Sequence, residues 1–241
     1  MKRSTLSLVL LLCFAVMANA QFGKKKNYDA GGMDADIRDL PPFQSISVSS
    51  GVDVYITQAD EQLVQVVSPD LDPARVITEV KNGVLHIRTK KKGYFNFNFE
   101  TPKVNIEVAD LEAIRASSGS DIYTTATFRT DALRIDGSGG SDLRLELEVD
   151  ELVAHTSGGS DLYLSGTTKL LEIYCSGGSD IQAYKLKATN CRVDSSGGSD
   201  AYVHVDGELR ISASGASDVH VRGKAKVISK EASGSSDIFF N

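Results

Sequence analysis

A five-residue segment, S-G-G-S-D, occurs at 138–142, 157–161, 176–180 and 196–200, and near-copies at 117–121, 214–218 and 233–237 extend the series. Its aspartates, Asp121, Asp142, Asp161, Asp180, Asp200, Asp218 and Asp237, are separated by 21, 19, 19, 20, 18 and 19 residues. A unit this short cannot enclose a core of its own, so neighbouring units must stack and cover each other's apolar faces. The period therefore predicts a solenoid.

Within each period the apolar residues alternate. One and three positions after the aspartate stand Leu143 and Leu145, Leu162 and Leu164, Ile181 and Ala183, Ala201 and Val203, Val219 and Val221, Ile238 and Phe240. At nine, seven and five positions before it stand Leu152, Ala154 and Thr156; Leu171, Ile173 and Cys175; Cys191, Val193 and Ser195; Leu209, Ile211 and Ala213. A period of two marks half-buried strands, not helices. Coils spaced about 4.8 Å apart would bury a continuous aliphatic interior and pair each backbone with the coils above and below. The expected fold is all-β: one right-handed parallel β-helix with coils of about 19 residues. Lys230 falls in an inward slot of the last coil, which predicts loosening or a local shift at that end.

The earlier chain follows the same plan less regularly. Ile46 and Val48, then Ser49-Ser50-Gly51-Val52-Asp53, then Val54 and Ile56 repeat strand, turn and strand in the register of 114–124. Between them, Val76, Thr78 and Val80 alternate up to Asn82-Gly83, a pair suited to a type I′ turn, and Leu85 and Ile87 alternate away from it. This part is expected to form the opening coils and a cap. Residues 21–42, with Lys24-Lys25-Lys26, Gly31-Gly32 and Pro41-Pro42, read as a mobile leader, and the domain is placed at 43–241.

Residues 1–20 have the layout of an export signal. Lys2 and Arg3 precede an apolar run from Leu6 to Val16, and Ala18-Asn19-Ala20 supplies small residues for cleavage before Gln21. Cys13 lies inside that apolar run without a lipobox. No later stretch is apolar enough to cross a membrane. Without Lys2 and Arg3, 24 basic residues face 32 acidic ones, so nucleic acid is not an expected partner.

Two cysteines remain, and the repeat tests whether they pair. Cys175 stands five residues before Asp180, whereas Cys191 stands nine before Asp200. On adjacent strands this offset of four positions is about 13 Å, beyond the roughly 7 Å Cα limit for a disulfide. Two buried free thiols are expected.

Phe43-Gln44-Ser45-Ile46-Ser47-Val48 running into Ser50-Gly51-Val52-Asp53-Val54-Tyr55-Ile56, the Asn82-Gly83-Val84-Leu85-His86-Ile87 hairpin, and the later Ser-Gly-Gly-Ser-Asp coils together carry a resemblance. Over about residues 43–240 the chain resembles the auto-transporter adhesin, head GIN domain family, exported proteins of Gram-negative bacteria associated with β-helical folds. The resemblance implies a place in the envelope, in the periplasm or at the outer membrane, or outside the cell. It brings no catalytic or ligand-binding residue with it.

Two columns of side chains are candidates for function. Stacking puts Asp53, Asp121, Asp142, Asp161, Asp180, Asp200, Asp218 and Asp237 in a row with about 5 Å between neighbours. Calcium could offset the repulsion of such a row. The reading favoured here is structural, with glycines taking positive φ at a tight corner and Asp and Ser bonding turn amides. Two positions after each aspartate an outward column reads Tyr55, Tyr123, Arg144, Tyr163, Gln182, Tyr202, His220 and Phe239, a mixture suited to sugar recognition or partner contact. It would also be stable as a ladder of cross-strand neighbours with no ligand at all. A further aromatic run, Tyr94-Phe95-Asn96-Phe97-Asn98-Phe99 after Lys90-Lys91-Lys92, is expected to pack on the cap.

Signs of catalysis are weak. His155, His204 and His220 sit at different offsets and point outward, His86 belongs to the hairpin, and no His-x-x-x-His or Cys-x-x-Cys spacing occurs. No metal or cofactor is expected. The sequence supports a non-catalytic exported scaffold that binds a glycan or an envelope or surface protein by its lateral face; at the last coil two readings stay open, Phe240 plugging the end or end-to-end self-association with another copy. The competing reading is a polysaccharide lyase or hydrolase using Asp142, Asp161, Asp180 and Arg144.

Overall fold

The computed structural model describes residues 35–67, 72–90 and 101–241. The export signal at 1–20, most of the leader and the aromatic run at 94–99 lie outside the described residues.

The first part of the chain contributes β1 (Ala35–Arg38), β2 (Ser45–Ser49), β3 (Asp53–Gln58), β4 (Leu63–Val67), a 3₁₀ turn at Pro73–Arg75, β5 (Val76–Lys81), β6 (Val84–Thr89), β7 (Lys103–Val108), β8 (Ala113–Ser117) and β9 (Ile122–Thr124). The repeats then supply β10 (Phe128–Ser138), β11 (Asp142–Ser157), β12 (Asp161–Cys175), β13 (Ile181–Gly197), β14 (Ala201–Val205), β15 (Glu208–Gly215), β16 (Val219–Arg222), β17 (Lys226–Gly234) and β18 (Ile238–Phe240). No α-helix occurs among the described residues.

Successive coils pair in parallel, with like residues over like. Leu143 lies beside Leu162 and Leu162 beside Ile181; Leu152 lies beside Leu171 and Leu171 beside Cys191. Every inward residue expected from Leu143 to Val221 is buried, including Thr156 and Ser195. The stacked coils thus share one continuous aliphatic core, as the alternation requires. Both cysteines are buried and free. Cys191 stacks on Leu171 whereas Cys175 stacks on Ser195, so the thiols belong to different columns. Burial pushes the Cys191 thiol up, which keeps it protonated and inert.

The opening coils are not stacked in chain order. Strands β2 and β3 lie directly against β8 and β9, with Ile46 beside Ile114 and Val54 beside Ile122. The intervening chain folds back outside them: β6 pairs with β2, β7 with β3, and β4 and β5 run antiparallel on β7 and β6. The expected hairpin at Asn82-Gly83 is present, with positive φ at both residues, and it helps to close this end of the stack. The leader expected over 21–42 is partly structured, because β1 pairs antiparallel with β4.

The other end is open. A bulge after Leu209 brings Lys230 beside Ile211, yet all of β17 remains exposed because no coil covers it. Val227, Ile228, Phe239 and Phe240 are between 41% and 48% exposed, and the Lys230 amine lies 5.3 Å from the centre of the Phe240 ring. Lysine is tolerated in an inward slot here because the slot faces water.

Candidate functional site on the lateral face

The S-G-G-S-D corner is built by its small residues. In the turns at 139–140 and 158–159 both glycines have positive φ, at 177 and 197 only the first of the two does, and the single glycines at 215 and 234 have it as well. The first glycines also stack closely: a Cβ on Gly197 would come within 2.9 Å of the Gly177 carbonyl oxygen. The second serine of each motif turns inward and is buried at Ser120, Ser141, Ser160, Ser179, Ser199, Ser217 and Ser236. From Ser141 onward its hydroxyl donates to the carbonyl three residues back, as in Ser160 Oγ to Ser157 O at 2.9 Å and Ser199 Oγ to Ser196 O at 2.8 Å. A carbonyl that the chain reversal would otherwise leave unbonded in the core is thereby satisfied.

The aspartates form the expected row, but they bond between coils and not within their own turns. Asp121 Oδ1 accepts the Asp142 N–H at 3.0 Å, Asp180 Oδ1 that of Asp200 at 3.1 Å, Asp200 Oδ1 that of Asp218 at 3.1 Å, and Asp218 Oδ1 that of Asp237 at 3.0 Å. Asp161 bonds the Asp180 amide at 3.4 Å. Asp142 instead holds Arg144 at 3.0 Å. An amide bonded to a carboxylate offsets part of the like-charge repulsion along the row. What remains shows at two positions: burial, then Asp121, raises the pKa of Asp53 against the pull of Lys103. Burial, helped by Asp200 and Asp161, raises that of Asp180 despite the Asp200 amide. Among the described residues, no group of three or more His, Cys, Asp or Glu side chains converges as a metal site.

The outward column is one continuous ladder. Tyr55 stacks on Tyr123 with ring centres 5.1 Å apart, and the Arg144 guanidinium lies 5.8 Å from Tyr123 and 4.7 Å from Tyr163. Gln182 is registered between Tyr163 and Tyr202; Tyr202 stacks on His220 at 4.6 Å, and His220 on Phe239 at 4.7 Å. Burial and the turn carboxylates push the Tyr123, Tyr163 and Tyr202 hydroxyls up, so these phenols stay neutral donors. Tyr123 and Tyr163 each donate to the aspartate two residues before them, at 3.3 Å.

Beside the ladder a groove of about 610 Å³ opens over β11, β12 and β13. Tyr163 and Tyr184 line it together with Arg144, Glu146, Gln182, Lys185 and Arg222. Tyr184 packs edge-on against Tyr202 at 5.4 Å and lies beneath the Arg222 guanidinium at 4.0 Å, while its hydroxyl accepts from Asn241. Tyr184 is not among the residues expected from the sequence. It stands four positions after its aspartate, and the signal was the next outward position along each coil, which reads Glu146, Ser165, Tyr184, His204 and Arg222.

The opposite flank of the turn carries His155, outward as expected. Arg134 Nη2 lies 3.3 Å from its Nδ1, and Asp136 is held by both Arg115 and Arg134. Burial, then the Arg134 charge, lowers the His155 pKa, so the ring is neutral. Its neighbour on the next coil is Tyr174, at 4.5 Å between ring centres. The carboxylate is thus bonded to guanidinium groups and does not orient the histidine as a base.

Solved structures share this fold at low identity, as three of them illustrate. One described as a "putative adhesin" from Bacteroides fragilis superposes with a TM-score of 0.80 at 20% identity, covering 88% of this chain and 98% of that one. A "putative lipid binding protein" from Parabacteroides distasonis gives 0.68 at 16% identity over 88% and 98% of the two chains. A "putative adhesin" from Parabacteroides merdae gives 0.66 at 16% identity over 88% and 97%. No curated protein matches the sequence. No helix among the described residues is long and apolar enough to cross a membrane. The family model described as "Putative auto-transporter adhesin, head GIN domain" matches residues 42–225, and the chain belongs to that family.

Proposed function

We propose that the protein is a non-catalytic surface or envelope scaffold, exported from the cytoplasm, that binds a glycan or a surface protein through the lateral face of its β-helix. The observation that carries this reading is the ladder from Tyr55 to Phe239 with the groove beside it, where Tyr163 leaves 36% of its surface open to solvent. Most ring faces of the ladder lie against a neighbour, and it is the exposed Tyr163 beside polar and charged groups that suits a sugar ring, with its apolar and hydroxyl-bearing sides. Membership of a family described as adhesins, and fold neighbours described in the same terms, support a binding role.

The turn carboxylates support it from the other direction. Five of them bond a backbone amide of the neighbouring coil, and Asp142 is paired with Arg144. A carboxylate committed in this way is poorly placed as a general acid or base. Screening the purified protein against a glycan array and an envelope extract tests the proposal, with products of acidic polysaccharides assayed in parallel. Binding without turnover, lost in the Tyr163→Ala, Tyr202→Ala double variant, is expected. Turnover abolished by Asp161→Ala would show an enzyme instead.

A further inference from the structure

The groove differs from the rest of the lateral face in how its backbone is built. The coil from Asp180 to Asp200 has 20 residues where its predecessor has 19, and the extra residue appears as a bulge at the groove. On one side the register slips so that Ser165 faces Lys185; on the other, Ala183 faces Val203 but Lys187 faces His204. Tyr184 and Lys185 consequently point outward in succession, and Leu186 returns to the core. Bulges that re-aim side chains in this way concentrate at binding sites.

The charge of the groove runs against that of the protein. Arg144, Lys185 and Arg222 line it against Glu146 alone, in a chain with a formal charge of −6. Arg144 is paired with Asp142, and Glu146 accepts from the Thr127 hydroxyl. Lys185 and Arg222 have no carboxylate partner among the described residues. By contrast, the groove of similar size lined by Arg129, Glu148, Asp150 and Lys169 neutralises those charges internally, through Arg129–Glu148 at 2.9 Å and Lys169–Asp150 at 2.7 Å.

We infer that the groove between Tyr163 and Tyr184 is a subsite for an acidic sugar, a pyranose ring bearing a carboxylate. The inference rests on the lateral-face reading above and gives it a ligand class. The exposed Tyr163 ring offers an apolar surface for the pyranose, and Lys185 together with Arg222, which stacks on Tyr184, offers donors for the carboxylate. An acyl chain would need an enclosed channel, whereas this groove is open to solvent and carries Arg144, Glu146, Lys185 and Arg222 on its walls. A bare anion would leave the exposed Tyr163 ring unused.

Isothermal titration with an oligogalacturonate, its fully methyl-esterified form and inorganic phosphate tests the inference on the intact protein. The free acid should bind at least about ten-fold more tightly than the ester, since a charged hydrogen-bonded contact is worth roughly that factor. The Lys185→Gln, Arg222→Gln double variant should remove the difference without changing the melting temperature. Equal binding of acid and ester, both lost in Tyr163→Ala, would overturn the acidic-sugar class and leave the lateral face as the binding surface. Full competition by phosphate would show a simple anion site and overturn it too, as would no binding of either oligosaccharide. The lateral-face reading falls only if every ligand found by array or extract also survives the Tyr163→Ala, Tyr202→Ala change.

Discussion

The turn edge and the column two residues further on lie side by side along the same coils, yet they obey opposite rules. At the edge the residues are nearly the same in each coil and their polar groups are consumed by the fold: the serine hydroxyl by a carbonyl three residues back, the carboxylate by the next coil's amide. In the neighbouring columns tyrosine, arginine, glutamine, lysine and histidine alternate, and at the groove two cations have no acidic partner. A repeated residue in a solenoid is held by the repeat. Capacity for recognition collects where the repeat is broken.

Several substitutions would sharpen or break this contrast. The largest effect is expected at Gly166, on the corner just beyond the groove, where φ is +110° and a Cβ would lie 1.9 Å from the Leu147 carbonyl oxygen. Gly166→Ala should cost at least about 3 kcal/mol in urea unfolding, from backbone strain and overlap combined. If it were silent, the coils would be looser than described. Next comes Ser199→Ala, which removes a buried hydroxyl bonded to Ser196 O and Ser195 Oγ. A loss of about 1–3 kcal/mol is expected, while Ser165→Ala on the groove rim should change stability by less than about 0.5 kcal/mol. Equal effects at the two serines would erase the distinction between edge and groove.

A gain is predicted at Ser118, the non-glycine residue in the left-handed turn at 118–119, with φ of 57°. Replacing it with glycine should add up to about 1 kcal/mol, because the left-handed conformation is unfavourable for a residue with a Cβ. The smallest effect is a slope. Burial and its neighbours raise the Asp180 pKa, so the folded chain keeps this proton to higher pH than the unfolded chain, whose value is near 3.8. The ionised group therefore weakens the fold at neutral pH, and this cost disappears as pH falls through the folded pKa toward 3.8. Asp180→Asn should keep the bond to the Asp200 amide and flatten melting temperature against pH over that window. An unchanged slope would mean that neither burial nor the neighbouring carboxylates penalise the ionised group at this coil.

The period and the alternation were enough to reach the β-helix, the inward residues from Leu143 to Val221 and the two free thiols, because each follows from spacing along identical coils. Three features were not legible, for distinct reasons. The outward stacking of β4 to β7 beyond β2 and β3 depends on which coil faces which, and neighbours in sequence do not specify neighbours in space once the repeat is irregular. The buried serine was present in the motif as its fourth letter, but a hydroxyl beside a turn glycine reads as a surface cap until its side is known. Lys185 was hidden by the bulge, since one inserted residue turns it outward beside Tyr184, which keeps the regular outward position. The bonding of the aspartates was not legible either: their carboxylates reach along the stack, a direction that a single turn does not reveal.

The central claim is that the turn edge holds the fold and the lateral groove holds the ligand. It is tested most directly by measuring oligogalacturonate affinity and melting temperature together for two variants, Asp180→Ala with Asp200→Ala on the edge and Tyr163→Ala with Tyr184→Ala in the groove. The edge variant should melt at a lower temperature than the unsubstituted protein and bind with similar affinity when folded, while the groove variant should melt within a few degrees of it and lose binding at least about ten-fold. Loss of binding in the folded edge variant with full binding in the groove variant would contradict the account.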